Sequence, residues 1–268
     1  MQALADAYER QQRALDALRA SGDAPHLCPE ATPVLFFGEI ARARIVTAAI
    51  NPSAREFVAR DGAPLARPRL LHDRARSGSA PADAERALEM MRSYFDPARD
   101  VVYWDWFRPV EHLLNALGAS LVDASAASTD VRSCVATRES WSRTPVDVRT
   151  RLAEAWRPDF DAVLRAAAAM ETLVLLGPGA IDAFRAAFTV DLEPVETPYD
   201  GLPKCAPFRP VLARGAFAPA PRRSVQVLAV RPYRNLPTLP LSRTELTHVA
   251  EIARRADIAG ARAAVGFA

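Results

Sequence analysis

Three short apolar runs constrain this chain more than anything else in it: IVTAAI at Ile45–Ile50, TLVLLG at Thr172–Gly177 and SVQVLAV at Ser224–Val230. Each is too short for a buried helix and too continuously apolar for a strand with one wet face, so each reads as a strand covered on both sides. Between them lie stretches with helical periodicity. Strands of this kind alternating with helices specify an α/β fold, a three-layer α/β/α sandwich around a mostly parallel central sheet. In such a sheet the ligand-handling groups gather where the strands end at their carboxyl side.

The rest of the chain fills in around these runs. VLFFGEI at Val34–Ile40 reads as a further strand, and another is expected near Val131–Ala136. The first 22 residues form an amphipathic helical extension with Leu4, Tyr8, Leu15 and Leu18 on one face. Helices are expected over Asp83–Phe95 and in WFRPVEHLLNALG, where Phe107, Val110, Leu113, Leu114 and Leu117 share a face that ends at Gly118. Pro145–Met170 reads as helix with a break near Pro158, AIDAFRAAF as a helix behind Gly177-Pro178-Gly179, and Ser242–Asp257 as a last helix opened by the capping-box pair Ser242 and Glu245. Two breaker-rich segments, Arg60–Ala82 and Thr197–Pro221, read as irregular. No repeat or linker divides the chain, so residues 1–268 are expected to form a single domain.

Composition narrows the function classes. A hydrophobic fraction of 50% over 268 residues builds a sizeable core, and no apolar run is long enough for a membrane span. The formal charge of +2 conceals a near-total preference for arginine, Lys204 being the one lysine. Arginine's planar fork suits phosphates and base edges, which is compatible with a nucleic-acid partner. Cys28, Cys134 and Cys205 are far apart and too few for a four-thiolate site, His26, His72 and His248 have no partners at metal spacing, and His112 reads as a structural residue of an amphipathic helix, so no metal and no cofactor are expected. Unpaired cysteines and the absence of a signal-like N-terminus point to the cytoplasm. No membrane and no obligate protein partner are implied.

Polar clusters follow three expected strands: Asn51-Pro52-Ser53, Thr137-Arg138-Glu139, and Arg231-Pro232-Tyr233-Arg234-Asn235. Asn51 is either a strand-ending Asx turn or a polar group presented to a crevice. Phe57 is either a core plug or a ring at that crevice, and Thr137 either bonds nearby backbone or meets a ligand.

In their order along the chain, AINPS, YWDWFRPVEHLLNALGAS, ATRESW, LVLLGPGAIDAF and VRPYRNLP resemble the motifs of the uracil-DNA glycosylase superfamily, in a bacterial branch whose first motif is Asn-Pro-Ser. The resemblance runs from about Val34 to Pro237. It implies a monofunctional DNA glycosylase that flips a nucleotide out of DNA, duplex or single-stranded, and hydrolyses the bond from base to sugar without a cofactor. Asn51 would orient the attacking water and Arg231 would stabilise charge on the departing base. Phe57, Thr137 and Ser53 would contact the base, and Tyr233, Arg234 and Asn235 the DNA.

Two departures from the superfamily bear on the substrate. A histidine is common where this chain has Arg231, and many uracil readers carry an asparagine where Cys134-Val135-Ala136-Thr137 stands. Both turn the expectation toward a modified pyrimidine, for example glucosylated cytosine in phage DNA, with uracil repair as the alternative. A DNA-binding module that retains the fold without the chemistry is a different class of answer. So is a small-molecule enzyme built on GPGAIDAF, although that segment lacks both GxGxxG and a P-loop lysine.

Overall fold

A computed structural model describes residues 1–63, 65, 69–70, 80–99, 102–194, 211–221 and 223–231. Among them are five α-helices: α1 (Gln2–Leu18), α2 (Ala80–Arg92), α3 (Trp104–Ala116), α4 (Val146–Ala166) and α5 (Pro178–Ala187). Six strands, β1 (Ile45–Ala49), β2 (Ala126–Asp130), β3 (Thr172–Leu176), β4 (Glu193–Pro194), β5 (Val211–Ala220) and β6 (Arg223–Arg231), form one sheet in the order β2-β1-β3-β6-β5-β4. The first four strands in that order are mutually parallel, while β5 and β4 add antiparallel pairs. The protein is therefore an α/β protein with a mixed, mostly parallel sheet.

The three apolar runs became β1, β3 and β6, adjacent in the sheet. Every residue of β1 and β3 is buried, as strands covered on both faces require. Helix α5 lies against β1, β3 and β6. Its start depends on Gly179, where a Cβ would run into the Ile50 side chain at the end of β1. That close approach, and not a phosphate cradle, accounts for the glycine. Helix α1 packs on α4 and α2, with Leu4, Ala7, Tyr8 and Leu15 in the common core.

Four expectations need correction. Val34–Ile40 is not a strand of the sheet: Phe37 makes one isolated bridge to Ser128, and Gly38, at φ +88°, turns the chain away so that its N–H donates to the Met91 carbonyl. The strand expected at Val131–Ala136 lies earlier, at Ala126–Asp130. Its sequence AASTD carries little apolar signal, yet all five residues are buried, and Thr129 Oγ1 donates to the Leu35 carbonyl at 2.7 Å. Residues 211–220, read as irregular, form β5. Its period-two burial alternates Ala213, Gly215, Phe217 and Pro219 with the exposed Arg214, Ala216 and Ala218, a pattern muted because the inward residues are mostly small. Helix α4 runs unbroken through Pro158, held by the buried Trp156, Phe160, Val163 and Leu164. The helix expected at Ser242–Asp257 lies outside the described residues.

Candidate functional site

The carboxyl ends of β1 and β2 and the turn after β3 open onto one cleft of about 1750 Å³. Asn51, Pro52 and Ser53 line it from β1, Ser128, Asp130 and Arg132 from β2, and Gly177, Pro178 and Gly179 from the start of α5. Backbone bonds extend the β1–β2 ladder past the strand ends, Val131 N–H donating to Ala49 and Arg132 N–H to Ile50, each at 2.9 Å. The mouth of the cleft is thus built on continuous backbone pairing.

Asn51 is half-buried there. Its Nδ2 donates to the Pro52 carbonyl at 3.1 Å and to Thr137 Oγ1 at 3.3 Å. A carbonyl only accepts, so the Pro52 contact fixes which end of the amide is nitrogen. The Asn51 Oδ1 then has no partner among the described residues and is free to accept a hydrogen bond in the cleft.

Thr137 is 2% exposed and donates its own proton to the Glu139 carbonyl at 2.7 Å. Its one proton goes to Glu139 and one of its lone pairs to Asn51, so it helps to orient Asn51. It does so from the loop after β2 and not from a strand end, paired only through an isolated bridge to Leu27. Ser53 also lines the cleft, and its Oγ accepts from the Arg55 N–H at 3.2 Å, capping the short turn Ala54–Glu56.

Phe57 is fully buried in the core and is not among the residues lining the cleft. The rings that do line it include Phe37, Tyr103, Trp106 and Trp141, the last three half-buried. Arg231 ends β6, and its backbone lies at the same end of the sheet, since Gly177 N–H donates to the Val230 carbonyl at 2.9 Å. Tyr233, Arg234 and Asn235 lie outside the described residues.

Two buried acids in the cleft escaped the sequence reading. Glu56 is 1% exposed, and Tyr94 Oη donates to its Oε2 at 2.6 Å while accepting from the Tyr103 N–H at 2.9 Å. Burial pushes the Glu56 carboxyl up to about 8, against smaller lowering effects of the Tyr94 bond and of Arg69. Asp130 ends β2 and is 3% exposed. Burial, reinforced by the neighbouring Glu56 charge, raises it well above the usual carboxylate range. The signal for Asp130 was present as a lone acid ending a small-residue strand, but misplacing that strand by five residues hid it.

Arginines surround the opening. Arg132, Arg138, Arg143 and Arg149 all line the cleft, and the buried Arg149 Nε has no hydrogen-bond partner among the described residues. The acids Asp61, Glu139 and Asp182 stand on the same walls. Among the described residues no group of three His, Cys, Asp or Glu side chains is placed to hold a metal ion, and no helix is long and apolar enough to cross a membrane. No model of a known protein family matches this chain, and no curated protein matches it either.

Proposed function

We propose that this protein is a monofunctional DNA glycosylase of the uracil-DNA glycosylase type, with its sheet as the middle layer of an α/β/α sandwich. The observation that carries the reading is the cleft-lining Asn51 carboxamide, whose Nδ2 is held by Pro52 and Thr137 and whose Oδ1 has no partner among the described residues. An amide oxygen in that state accepts a hydrogen bond from a water and points the water's lone pair at a carbon above it. It is too weak a base to deprotonate the water early, which suits a substrate whose bond to the leaving group is already breaking.

The substrate is a nucleotide flipped out of DNA, its base a modified pyrimidine and its phosphates held by the arginine rim. Attack of the oriented water at C1′ leaves an abasic site and a free base. The cleft, about 1750 Å³ in all, has room for a bulky base such as glucosylated hydroxymethylcytosine. Excision of that base from invading phage DNA would be a defence activity.

Base release from oligonucleotides carrying each modified base, read by alkaline cleavage at abasic sites, tests the reading. Asn51→Ala is expected to lower release by about 100-fold or more while DNA affinity stays within about threefold. Undiminished release would remove Asn51 from the chemistry. DNA binding without release from any substrate would leave a binding module.

A further inference from the structure

The Asp130 carboxyl has no evident part in holding the fold together. Its backbone carbonyl is anchored by Trp156 Nε1 at 2.7 Å, but among the described residues its side chain makes no hydrogen bond and no ion pair. It is buried and lines the cleft. Ser128, Asp130 and Arg132 face the cleft in alternation, whereas Thr129 turns away to bond Leu35. Asp130 pairs with Ala49 across the β1–β2 ladder, two residues before Asn51. The Asp130 carboxyl and the Asn51 amide, neither oxygen group partnered among the described residues, therefore line the same cleft from the ends of adjacent strands.

A carboxyl buried without a partner is far cheaper to keep neutral than charged. The groups that act on it from its surroundings do not supply a compensating cation: Glu56, on the turn after β1, repels its charge, and Cys134, on the loop after β2, is itself held in the neutral thiol form by burial. Arg132 lines the cleft without a described ion pair to Asp130, and Trp156 from α4 carries no charge. Burial without a compensating cation thus favours the protonated form of the Asp130 carboxyl. A protonated carboxyl presents one donor beside one acceptor.

We propose that Asp130 is a catalytic residue that reads the edge of a 4-aminopyrimidine, a cytosine-type base, and transfers its proton to N3 as the glycosidic bond breaks. The proposal rests on the glycosylase reading above and names the base. Cytosine displays an acceptor at N3 beside a donor at N4, the complement of a protonated carboxyl, and N3 is basic enough to take the proton. Uracil shows N3–H and a weakly basic O4 on that edge, and its two carbonyls let it depart as an anion. A cytosine ring holds negative charge less well and gains more from leaving neutral.

The step balances as follows. The Asp130 O–H bond breaks and N3–H forms; the C1′–N1 bond breaks and its electron pair enters the ring, which departs as the neutral base. The water oriented by Asn51 forms the C1′–O bond, and the proton it releases restores Asp130 to the acid. One water is consumed, and one free base and one abasic sugar are formed. The 6-aminopurine edge of adenine has the same acceptor–donor order, so it belongs in the test.

Single-turnover base release by the full chain is measured on oligonucleotides carrying cytosine, 5-hydroxymethylcytosine, its glucosylated form, adenine or uracil at one position. The expected result is release of at least one cytosine-type base, slowed at least about 100-fold in Asp130→Asn, with DNA affinity within about threefold of wild type. Asparagine keeps a donor and an acceptor but has no acidic proton. The wild-type rate is also expected to fall toward alkaline pH as the carboxyl ionises. Release of uracil or adenine without any cytosine-type base overturns the assignment, as does an Asp130→Asn rate within about threefold of wild type. Should that variant not fold, a cytosine-type rate that stays flat between about pH 6 and pH 10 in the wild type overturns it equally. An enzyme that releases uracil alone fails only the Asp130 proposal, whereas one that binds DNA and releases nothing fails the glycosylase reading itself.

Discussion

Glu56 is where a single side chain links the cleft to the stability of the fold. Its carboxyl is buried against Tyr94, with its acidity shifted up to about 8, so in the folded protein it keeps a proton that the unfolded chain loses near pH 4.5. Between those values the folded state binds the extra proton. The stability tied to Glu56 is therefore fully present below about pH 4.5 and declines as pH rises, until the folded carboxyl also ionises near 8. Glu56→Gln keeps an acceptor for the Tyr94 hydroxyl and cannot ionise. Its Tm is expected to match wild type closely at about pH 4, below the point where the unfolded carboxyl ionises, and to exceed it by on the order of 10 °C at about pH 9, by calorimetry. Equal Tm values at both pH values would mean that the Glu56 charge reaches water. Asn51 was legible from sequence at this scale, because a polar residue follows an unmistakable strand. Glu56 was not: an acid beside an arginine and a phenylalanine carries no mark of burial, which comes from Tyr94, 38 residues away.

At the scale of elements, the buried parallel strands declared themselves and the polar or small-residue ones did not. β1 and β3 are buried on both faces and so had to be apolar throughout; β2 satisfies its hydroxyls through bonds such as Thr129 to Leu35, which local sequence does not reveal. The same holds for the seam between α1 and α4. Arg10 approaches Asp159 Oδ1 at 2.6 Å and Gln11 Nε2 reaches Oδ2 at 2.7 Å, while the Cys134 thiol donates to Gln11 Oε1 at 3.3 Å. Asp159 is 2% exposed, and it sits one turn from Trp156, whose indole holds the end of β2 at the Asp130 carbonyl. The opening helix therefore braces the strand that carries the proposed acid. Asp159→Ala is expected to destabilise the protein by about 2–3 kcal/mol in urea unfolding, the scale of hydrogen bonds to a charged group with the discount due to a half-exposed Arg10. A loss below about 0.5 kcal/mol would show that α1 is held by its apolar face alone.

For the whole molecule, charge is distributed to one purpose that the net figure conceals. A balance of +2 predicts almost no attraction to a polyanion, yet six arginines, Arg55, Arg60, Arg132, Arg138, Arg143 and Arg149, line the cleft whose interior holds the two buried acids. Protonated acids do not repel phosphate, so under the proposed reading Glu56 and Asp130 would not oppose the approach of DNA to this rim. Arg138 and Arg143 are both exposed and lie on the loop that also carries Thr137. If they grip backbone phosphates, each contact releases condensed counterions, and the dependence of log affinity on log salt loses about 0.9 of slope per contact removed. Arg138→Ala together with Arg143→Ala is expected to weaken duplex binding for modified and unmodified sequences alike and to flatten the salt slope by about 2, with base release per bound complex nearly unchanged. Asn51→Ala is expected to do the reverse, leaving the slope alone and stopping release. Measuring both variants across a salt series separates grip from chemistry, and an unchanged slope in the double arginine variant would place the DNA on another face of the protein.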